Sequence, residues 1–90
     1  MEIAQLRCFV ATAHELHFGR AAQSLAMLPA ALGRQIHLLE KHLGVRLFER
    51  TTRQVALTRD GALLLEDAQR LIAQADALVL RFRSQTRSKA

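Results

Sequence analysis

The sequence predicts a mainly α-helical fold with three helices, a short two-stranded β-hairpin and a long final helix. Three observations support this prediction. Half of the 90 residues are hydrophobic, with only four aromatic residues and one proline, a composition that favours helices. Apolar residues recur three and four positions apart over most of the chain, which is typical of helices packed on a core. One stretch instead has short apolar runs flanking polar turn residues, which is typical of a hairpin.

The first two helices are separated by the sequence HFG. Apolar side chains at helical spacing predict a first helix over residues 3–16. The segment RAAQSLA predicts a short second helix that ends near Met27 and carries Ala21, Ala22 and Leu25 on its inner side.

The third helix is predicted from Pro29 to His42. A proline fits the first turn of a helix, where its missing N–H removes no internal hydrogen bond, and it biases the preceding Leu28 away from helix. Gly44 provides a left-handed cap at the other end. The predicted buried stripe consists of Leu32, Ile36, Leu39 and Leu43. The opposite face carries Ala30, Gly33, Arg34, His37 and Lys41.

A hairpin is predicted next, because VRLFER and VALT flank the polar segment TTRQ. The last helix then begins at Thr58, a good N-cap, with Asp60 in its first turn, where a negative charge suits the helix dipole. We expect this helix to continue to about Arg83 without interruption. Its apolar positions alternate at intervals of three and four, the heptad pattern of a two-helix seam; they are Leu65, Ala68, Ile72, Ala75, Val79 and Phe82.

The long helix predicts a dimer. About 25 residues span roughly 37 Å, more than the preceding domain can cover, so a second copy of the helix is the simplest partner. The predicted organisation is a domain over residues 1–58, a dimerisation helix over 59–83 and a flexible polar tail over 84–90.

The formal net charge of +5 is unevenly distributed. The stretch from Leu43 to Arg59 carries four arginines and one glutamate, and the last fourteen residues carry four cations and no acid. Such a surface suits a polyanion, either nucleic acid or an anionic membrane; a basic surface that is merely solvated has the same composition. The heptad-spaced stripe of the last helix favours a helix partner over a membrane.

Other classes of function are not expected. No glycine-rich phosphate loop, nucleophile motif or carboxylate pair appears, so we expect no enzyme and no cofactor. A helix break separates His14 from His17, and no cysteine or acidic cluster joins them, which argues against a metal site. Cys8 cannot form an internal disulfide, fits a reducing cytoplasm and is expected to be a small buried residue. The amino terminus lacks the layout of a signal peptide, and no apolar run is long enough for a membrane span.

The most informative spacing is that of Ala22, Leu25, Met27, Leu32 and Ile36. The small residue lets the next helix cross closely, and the larger side chains fill the corner between the two helices. This is the packing of a helix-turn-helix, whose second helix can enter the DNA major groove, although an ordinary helical corner needs similar residues. A basic hairpin after it makes a winged helix-turn-helix, whose tip can reach the neighbouring minor groove or the DNA backbone.

The segments LRCFVATAHELHFGRAAQSL and LGRQIHLLEKHLGVRLFERTTRQVALTRDGALLLEDAQRLI resemble the amino-terminal domain of LysR-type bacterial transcriptional regulators. The most specific parts are RQI, LE, LGVRLFER and the LT that precedes a glycine. The resemblance implies a winged helix-turn-helix that binds double-stranded DNA, followed by a linker helix that forms a homodimer. It also implies a carboxy-terminal domain, absent from this chain, that senses a small-molecule effector. We therefore expect a fragment of a cytoplasmic regulator.

The chain departs from the family at the start of the recognition helix. The usual V-S-Q-P-A-L-S-R-Q-I is MLPAALGRQI here, so Leu28, Pro29, Ala30 and Gly33 replace two serines, a glutamine and a proline. The polar members of that run commonly cap the helix and touch bases or phosphates. Those hydrogen bonds cannot be carried over to the apolar replacements. Gly19, likewise, stands where a capping serine or threonine is usual.

Arg34 matches the family pattern and is the first candidate for reading DNA, because arginine can donate two hydrogen bonds to guanine. Pro29 and Ala30 can contact thymine methyl groups, and Gly33 lets the helix lie closer to the bases. Arg53, in the hairpin turn, is placed to enter a narrow minor groove. Phosphate contacts are expected from Arg20, His37, Lys41, Arg50, Thr51 and Thr52. Alternatively, specificity comes mostly from DNA shape and from these phosphate contacts.

The sequence therefore predicts a fragment of a sequence-specific transcriptional regulator. We expect it to bind operator DNA as a dimer, with a recognition helix in the major groove and a basic wing in the minor groove. The alternative is a helical dimerisation module whose basic surface reads no DNA sequence. Binding to duplex DNA at two salt concentrations separates the two, because contacts to phosphates weaken steeply as salt rises.

Overall fold

The computed structural model describes the backbone of residues 1–89 and the side chains of residues 1–85. The elements within this part of the chain are α1 (Ile3–Glu15), α2 (Phe18–Ser24), α3 (Pro29–Leu43), β1 (Phe48–Arg50), β2 (Val55–Leu57) and α4 (Arg59–Lys89). The mainly α-helical class and the order of elements are as predicted. The molecule measures 54 × 24 × 19 Å, and its length reflects α4.

The core lies between α1, α2, α3 and β1. The largest side chains that are almost completely buried are Leu6, Phe9, Leu32, Ile36, Leu39, Leu47 and Phe48. Ala21 and Ala22 of α2 are also fully buried, and their small side chains allow close helix packing. The ring centroids of Phe9 and Phe48 are 5.5 Å apart, so an aromatic contact joins α1 to the hairpin.

Left-handed backbone conformations mark the ends of these helices. Leu16 follows α1 with φ 49°, and Ala26 lies between α2 and α3 with φ 54°. The N–H of Met27 donates to the carbonyl of Ala22 at 2.8 Å, which closes the turn between the two helices. Gly44 caps α3 with φ 72°, as predicted.

Two details of the helices differ from the prediction. α2 begins at Phe18, ahead of the RAAQSLA segment, because the side chain of His17 caps it. Leu43 is 37% exposed, whereas the other three residues of the predicted buried stripe of α3 are fully buried. Leu43 is the last residue of the helix, where the chain turns at Gly44, so it lies beyond the core.

The predicted hairpin is confirmed as an antiparallel pair in which Phe48 lies opposite Leu57 and Arg50 opposite Val55. In the turn, the hydroxyl of Thr51 accepts hydrogen bonds from the backbone N–H groups of Arg53 and Gln54. The backbone N–H of the residue before β1 donates to Glu40 Oε2 at 2.7 Å. This bond fixes the hairpin relative to α3.

The first half of α4 packs on the domain. Thr58 Oγ1 accepts a hydrogen bond from the N–H of Gly61 at 2.9 Å, so the predicted N-cap is confirmed. Ala68 is fully buried, and Leu64, Leu65 and Ile72 pack against the core from its edge. Two polar contacts join α4 to α1; they are Arg7 to Asp76 at 2.6 Å and His14 to Gln69 at 2.8 Å.

The predicted end of α4 near Arg83 is wrong. The backbone is helical to Lys89, which includes most of the tail predicted as flexible (residues 84–90). No glycine or proline follows Arg83, so nothing in this segment interrupts the helical hydrogen bonds. Among the described residues, no helix is both long and apolar enough to cross a membrane.

Candidate nucleic-acid interface

The exposed face of α3 carries basic side chains. Arg34, His37 and Lys41 are exposed on this face, opposite the fully buried Leu32 and Ile36. The face is therefore free of the domain's own packing. The recognition residues predicted from the sequence lie on this surface.

The first turn of this helix presents only apolar side chains. Leu28 is 75% exposed, and Pro29 and Ala30 are exposed as well. A Cβ atom at Gly33 would meet nothing within 4 Å. Neither packing nor backbone conformation therefore requires glycine there, and its effect is to leave the surface of the helix open.

A groove runs between α3 and the hairpin, and most of its polar lining is basic. The side chains of His37, Lys41, Arg46 and Arg50 line it together with Glu40, whose carboxylate is engaged by the backbone before β1. Sequence reasoning expected His37, Lys41 and Arg50 to contact phosphate but did not single out Arg46. The four arginines between Leu43 and Arg59 were the signal that could have identified it.

Aromatic contacts orient Arg50. Its guanidinium carbon lies 4.3 Å from the centroid of the Phe18 ring, a cation–π contact. Phe18 in turn meets Phe48 edge to face, with their centroids 5.8 Å apart. A side chain at the end of β1 is thus held over α2 rather than moving freely.

The hairpin turn and the start of α2 face each other across a second groove. The side chains of Thr51, Thr52 and Arg53 are exposed on the hairpin side. Arg20 lies on the α2 side, where its Nε is 3.2 Å from Glu15 Oε2. The structure therefore brings the four residues to one region but pairs Arg20 with a carboxylate.

The cap of α2 was missed from the sequence. Gly19 cannot cap the helix with a side chain, and instead Nδ1 of His17 accepts a hydrogen bond from the N–H of Arg20 at 3.0 Å. A Cβ atom at Gly19 would lie 3.0 Å from Cε1 of that ring, so the glycine leaves room for it. Histidine is not among the favoured N-cap residues, and no sequence signal pointed to it.

The six predicted dimerisation residues fall into two groups. Ala68 is fully buried in the domain's own core, and Leu65 and Ile72 pack against that core. Ala75 is half-buried, whereas Val79 is 48% and Phe82 61% exposed. Leu71, Leu78 and Phe82 are exposed on α4 and, together with the half-buried Ala75, form a line at intervals of three and four residues, which we call the outer stripe. Two of its members, Ala75 and Phe82, belong to the predicted set.

The described part of the chain contains no cluster of metal-ligating residues and no exposed thiol. No group of three or more histidine, cysteine or acidic residues there is placed to hold a metal ion. Cys8 is 3% exposed, and burial raises the pKa of its thiol. A raised pKa disfavours the reactive thiolate.

Residues 3–62 match the family described as bacterial regulatory helix-turn-helix protein, lysR family. The whole chain is 56% identical to the HTH-type transcriptional regulator TtuA of Agrobacterium vitis, and 99% of it is 42% identical to XapR of Escherichia coli strain K12. The chain spans about 30% of the length of each of these relatives.

Solved DNA complexes share the fold. The complex of the BenM DNA-binding domain with catB site 1 DNA superimposes with a TM-score of 0.91 at 36% identity, covering 96% of this chain and 97% of that one. The CbnR DNA-binding domain–DNA complex gives a TM-score of 0.89 at 37% identity and covers 96% and 99%. The winged helix-turn-helix expected from the sequence is thereby confirmed.

Proposed function

Because the chain belongs to the lysR family of bacterial regulatory helix-turn-helix proteins, we propose that it is the DNA-binding part of a transcriptional regulator. The observation that carries this proposal is the exposed, basic face of α3 beside a basic groove and wing. Similar domains have been solved as complexes with DNA. In this function α3 enters the major groove of operator DNA and the hairpin reaches the adjacent minor groove.

On α3, Arg34 reads a guanine through two hydrogen bonds to O6 and N7. Its exposed position and the lack of an acidic residue in the first turn of α3 support this role. Pro29 and Ala30 offer apolar contacts to the base edges, and the open surface at Gly33 lets the helix approach them closely.

Phosphates occupy the basic groove between α3 and the hairpin. His37 and Arg50 contribute to it, as expected from the sequence, and Lys41 and Arg46 complete it. The hydroxyls of Thr51 and Thr52 contact DNA phosphates at the wing, and that of Thr51 also bonds to the backbone of Gln54 within the turn. Arg53 enters the minor groove, where its charge matches the strongly negative potential of A·T-rich DNA.

We expect Arg20 to contribute less to DNA binding than these residues, because its guanidinium already forms an ion pair with Glu15. We assign it to a phosphate contact at the edge of the interface. The pairing with Glu15 orients the side chain but reduces its net charge toward DNA.

The protein binds DNA as a homodimer joined through α4, so that two copies of α3 address half-sites related by two-fold symmetry. The outer stripe supports this arrangement, because Leu71 and Leu78 are 41% and 47% exposed. In the longer relatives the remaining length allows a domain that responds to a small-molecule effector. As a bacterial DNA-binding regulator, the protein acts in the cytoplasm.

The experiment is selection of bound sites from random duplexes, followed by fluorescence anisotropy at two salt concentrations. We expect affinity to fall steeply with salt. Arg34→Ala should lose discrimination at one G·C pair by about 5- to 150-fold, because a bidentate pair is worth about 1–3 kcal/mol. Arg70→Ala is the matched control, since Arg70 lies on α4 and pairs with Asp67 of the same helix.

Two results would contradict these assignments. Equal loss of affinity for every sequence in Arg34→Ala would make this residue a phosphate contact. Absence of binding to any duplex at low salt, with dimers persisting, would favour the alternative of a dimerisation module.

A further inference from the structure

Leu28 has the highest exposed fraction, 75%, among the large hydrophobic residues that the structure describes. It is the N-cap residue of α3, and its side chain makes no cap hydrogen bond. Leucine ranks well below serine, threonine, asparagine and aspartate at this position. Neither the core nor the stability of the helix therefore accounts for a leucine here.

Leu28 is the first of four consecutive exposed apolar residues at the start of α3. The next three residues, Pro29, Ala30 and Ala31, are also exposed, and we call residues 28–31 the apolar tip. None of its side chains can donate or accept a hydrogen bond. Only the buried Leu32 separates the tip from Gly33 and Arg34 in sequence, so the tip adjoins the surface proposed to read DNA.

Base edges in the major groove offer few apolar partners. They present hydrogen-bond donors and acceptors together with the C5-methyl group of thymine. A methylated cytosine carries the same methyl group at the same ring position. An apolar side chain that meets a base edge is therefore suited to one chemical group, a C5-methyl.

Distance along the helix restricts where this group lies. The five helical steps from Pro29 to Arg34 rise roughly 7.5 Å at about 1.5 Å per residue, and the extended backbone of Leu28 adds at most about 3.5 Å. Successive base pairs are about 3.4 Å apart, so the two side chains reach bases within about three pairs of each other. Leucine is also the longest side chain of the apolar tip and projects furthest from the backbone.

We propose that Leu28 is a specificity-determining residue that reads the C5-methyl group of a thymine within about three base pairs of the guanine read by Arg34. The proposal rests on the proposed DNA-binding function and names the group that the apolar tip recognises. It assigns a contact to DNA at a position where this chain has lost the polar residue usual in its family.

The test is a scan of the selected operator in which each thymine is replaced singly by deoxyuridine. This exchange removes one methyl group and keeps every hydrogen bond and charge of the base pair. The chain should lose about fourfold in affinity at one thymine near the guanine, the value of about 0.8 kcal/mol for one buried methyl-sized group. Replacing the same pair by C·G and then by 5-methylcytosine·G should show a similar gain on methylation.

Leu28→Ser and Leu28→Ala should bind thymine and uracil duplexes equally at that position. Serine is a better N-cap than leucine, so Leu28→Ser should melt at a higher temperature by circular dichroism, which shows that it folds. Leu80→Ala is the matched control, because Leu80 is 63% exposed on α4 and should keep the fourfold preference.

Two results would overturn the inference. One is a flat deoxyuridine scan for the unmodified chain, and the other is a preference for thymine over uracil that stays the same in Leu28→Ser and Leu28→Ala. In both cases the chain still binds its operator, so the proposed function stands. Failure of the unmodified chain to bind any duplex is a different outcome and removes the proposed function itself.

Discussion

Both parts of α4 carry apolar side chains at helical spacing, but their surroundings differ. From Arg59 to Asp76 the helix lies on its own domain, where Gly61 and Ala68 are buried. Beyond Asp76 the apolar side chains are largely exposed, namely Leu78 at 47%, Val79 at 48%, Leu80 at 63% and Phe82 at 61%. Hydrophobic spacing alone therefore does not decide which part of this helix is buried.

The closest contacts of α4 with its own domain are made at small residues. Where α4 meets the hairpin and α1, the buried positions are a glycine and an alanine, which let the helix approach closely, and Leu64, Leu65 and Ile72 pack against the core as well. Where the helix leaves the domain, leucines and a phenylalanine are exposed. These large exposed side chains form the surface that we assign to a second copy.

The largest effect should come from Gly61→Ala, which breaks the first of these contacts. A Cβ atom there would lie 2.3 Å from the carbonyl oxygen of Leu47 and 2.9 Å from Cδ2 of Leu57. Backbone cannot yield as a flexible side chain can, so we expect a loss of about 3 kcal/mol or more in the free energy of unfolding. Urea denaturation at a fixed protein concentration measures it.

Gly33→Ala is the matched control for this prediction. It adds the same methyl group to a helical glycine with nothing within 4 Å, and it should raise stability by about 0.5–1 kcal/mol. If the two variants unfold at the same urea concentration, close packing of α4 on the domain does not stabilise the fold.

The sequence predicted the elements and the core of the helix-turn-helix well, because their signals are local. Pro29, Gly44 and Thr58 each fix a helix boundary by their own backbone or side-chain chemistry. The side of α4 that meets the domain was not predictable in this way. Intervals of three and four residues describe both the stripe through Ala68 and the outer stripe, and only the position of α1 decides between them.

The candidate site was predictable to a similar degree. The exposure of Arg34 and His37 follows from helical spacing once the buried stripe of α3 is known. The cap of α2 by His17 and the stacking of Arg50 on Phe18 depend on side-chain orientations. No spacing rule encodes these orientations.

A second prediction concerns the exposed half of α4 and should have an intermediate effect. Leu78→Asp places a charge on the outer stripe, where dimer formation would bury it without a partner. Because an unpaired buried charge costs several kcal/mol, the dimer dissociation constant should rise about a hundredfold or more. Sedimentation equilibrium should then show monomers whose circular dichroism is unchanged.

Leu80→Asp tests which face of α4 is involved. Leu80 is at least as exposed as Leu78 but lies two positions further along the helix, on another face, so this variant should remain a dimer. Dimers of Leu78→Asp, or monomers of Leu80→Asp, would contradict the outer stripe. A charge at Ile72 would not test dimerisation, because this residue packs against the core and the change would also disturb the fold.

The smallest effect should come from the ion pair that marks the boundary between the two halves. Arg7 and Asp76 are both substantially exposed, so solvent and salt weaken their attraction. The hydrogen bond from Arg7 lowers the pKa of Asp76 below its ordinary value. The ionised form of this carboxylate is therefore more stable in the folded state than in the unfolded chain.

The direction of the pH dependence follows from this lowered pKa. A group whose pKa falls on folding stabilises the protein above its unfolded pKa, about 4 for aspartate, and loses that contribution as the pH falls through the folded value. The melting temperature of the chain should thus exceed that of Asp76→Ala slightly at neutral pH, and the gap should close below about pH 4 and also in high salt. Asp67→Ala removes a carboxylate paired within α4 and serves as the comparison. If Asp76→Ala melts at the same temperature as the unmodified chain at every pH, the contact between α1 and α4 gains nothing from this pair, and apolar packing alone sets where the helix leaves the domain.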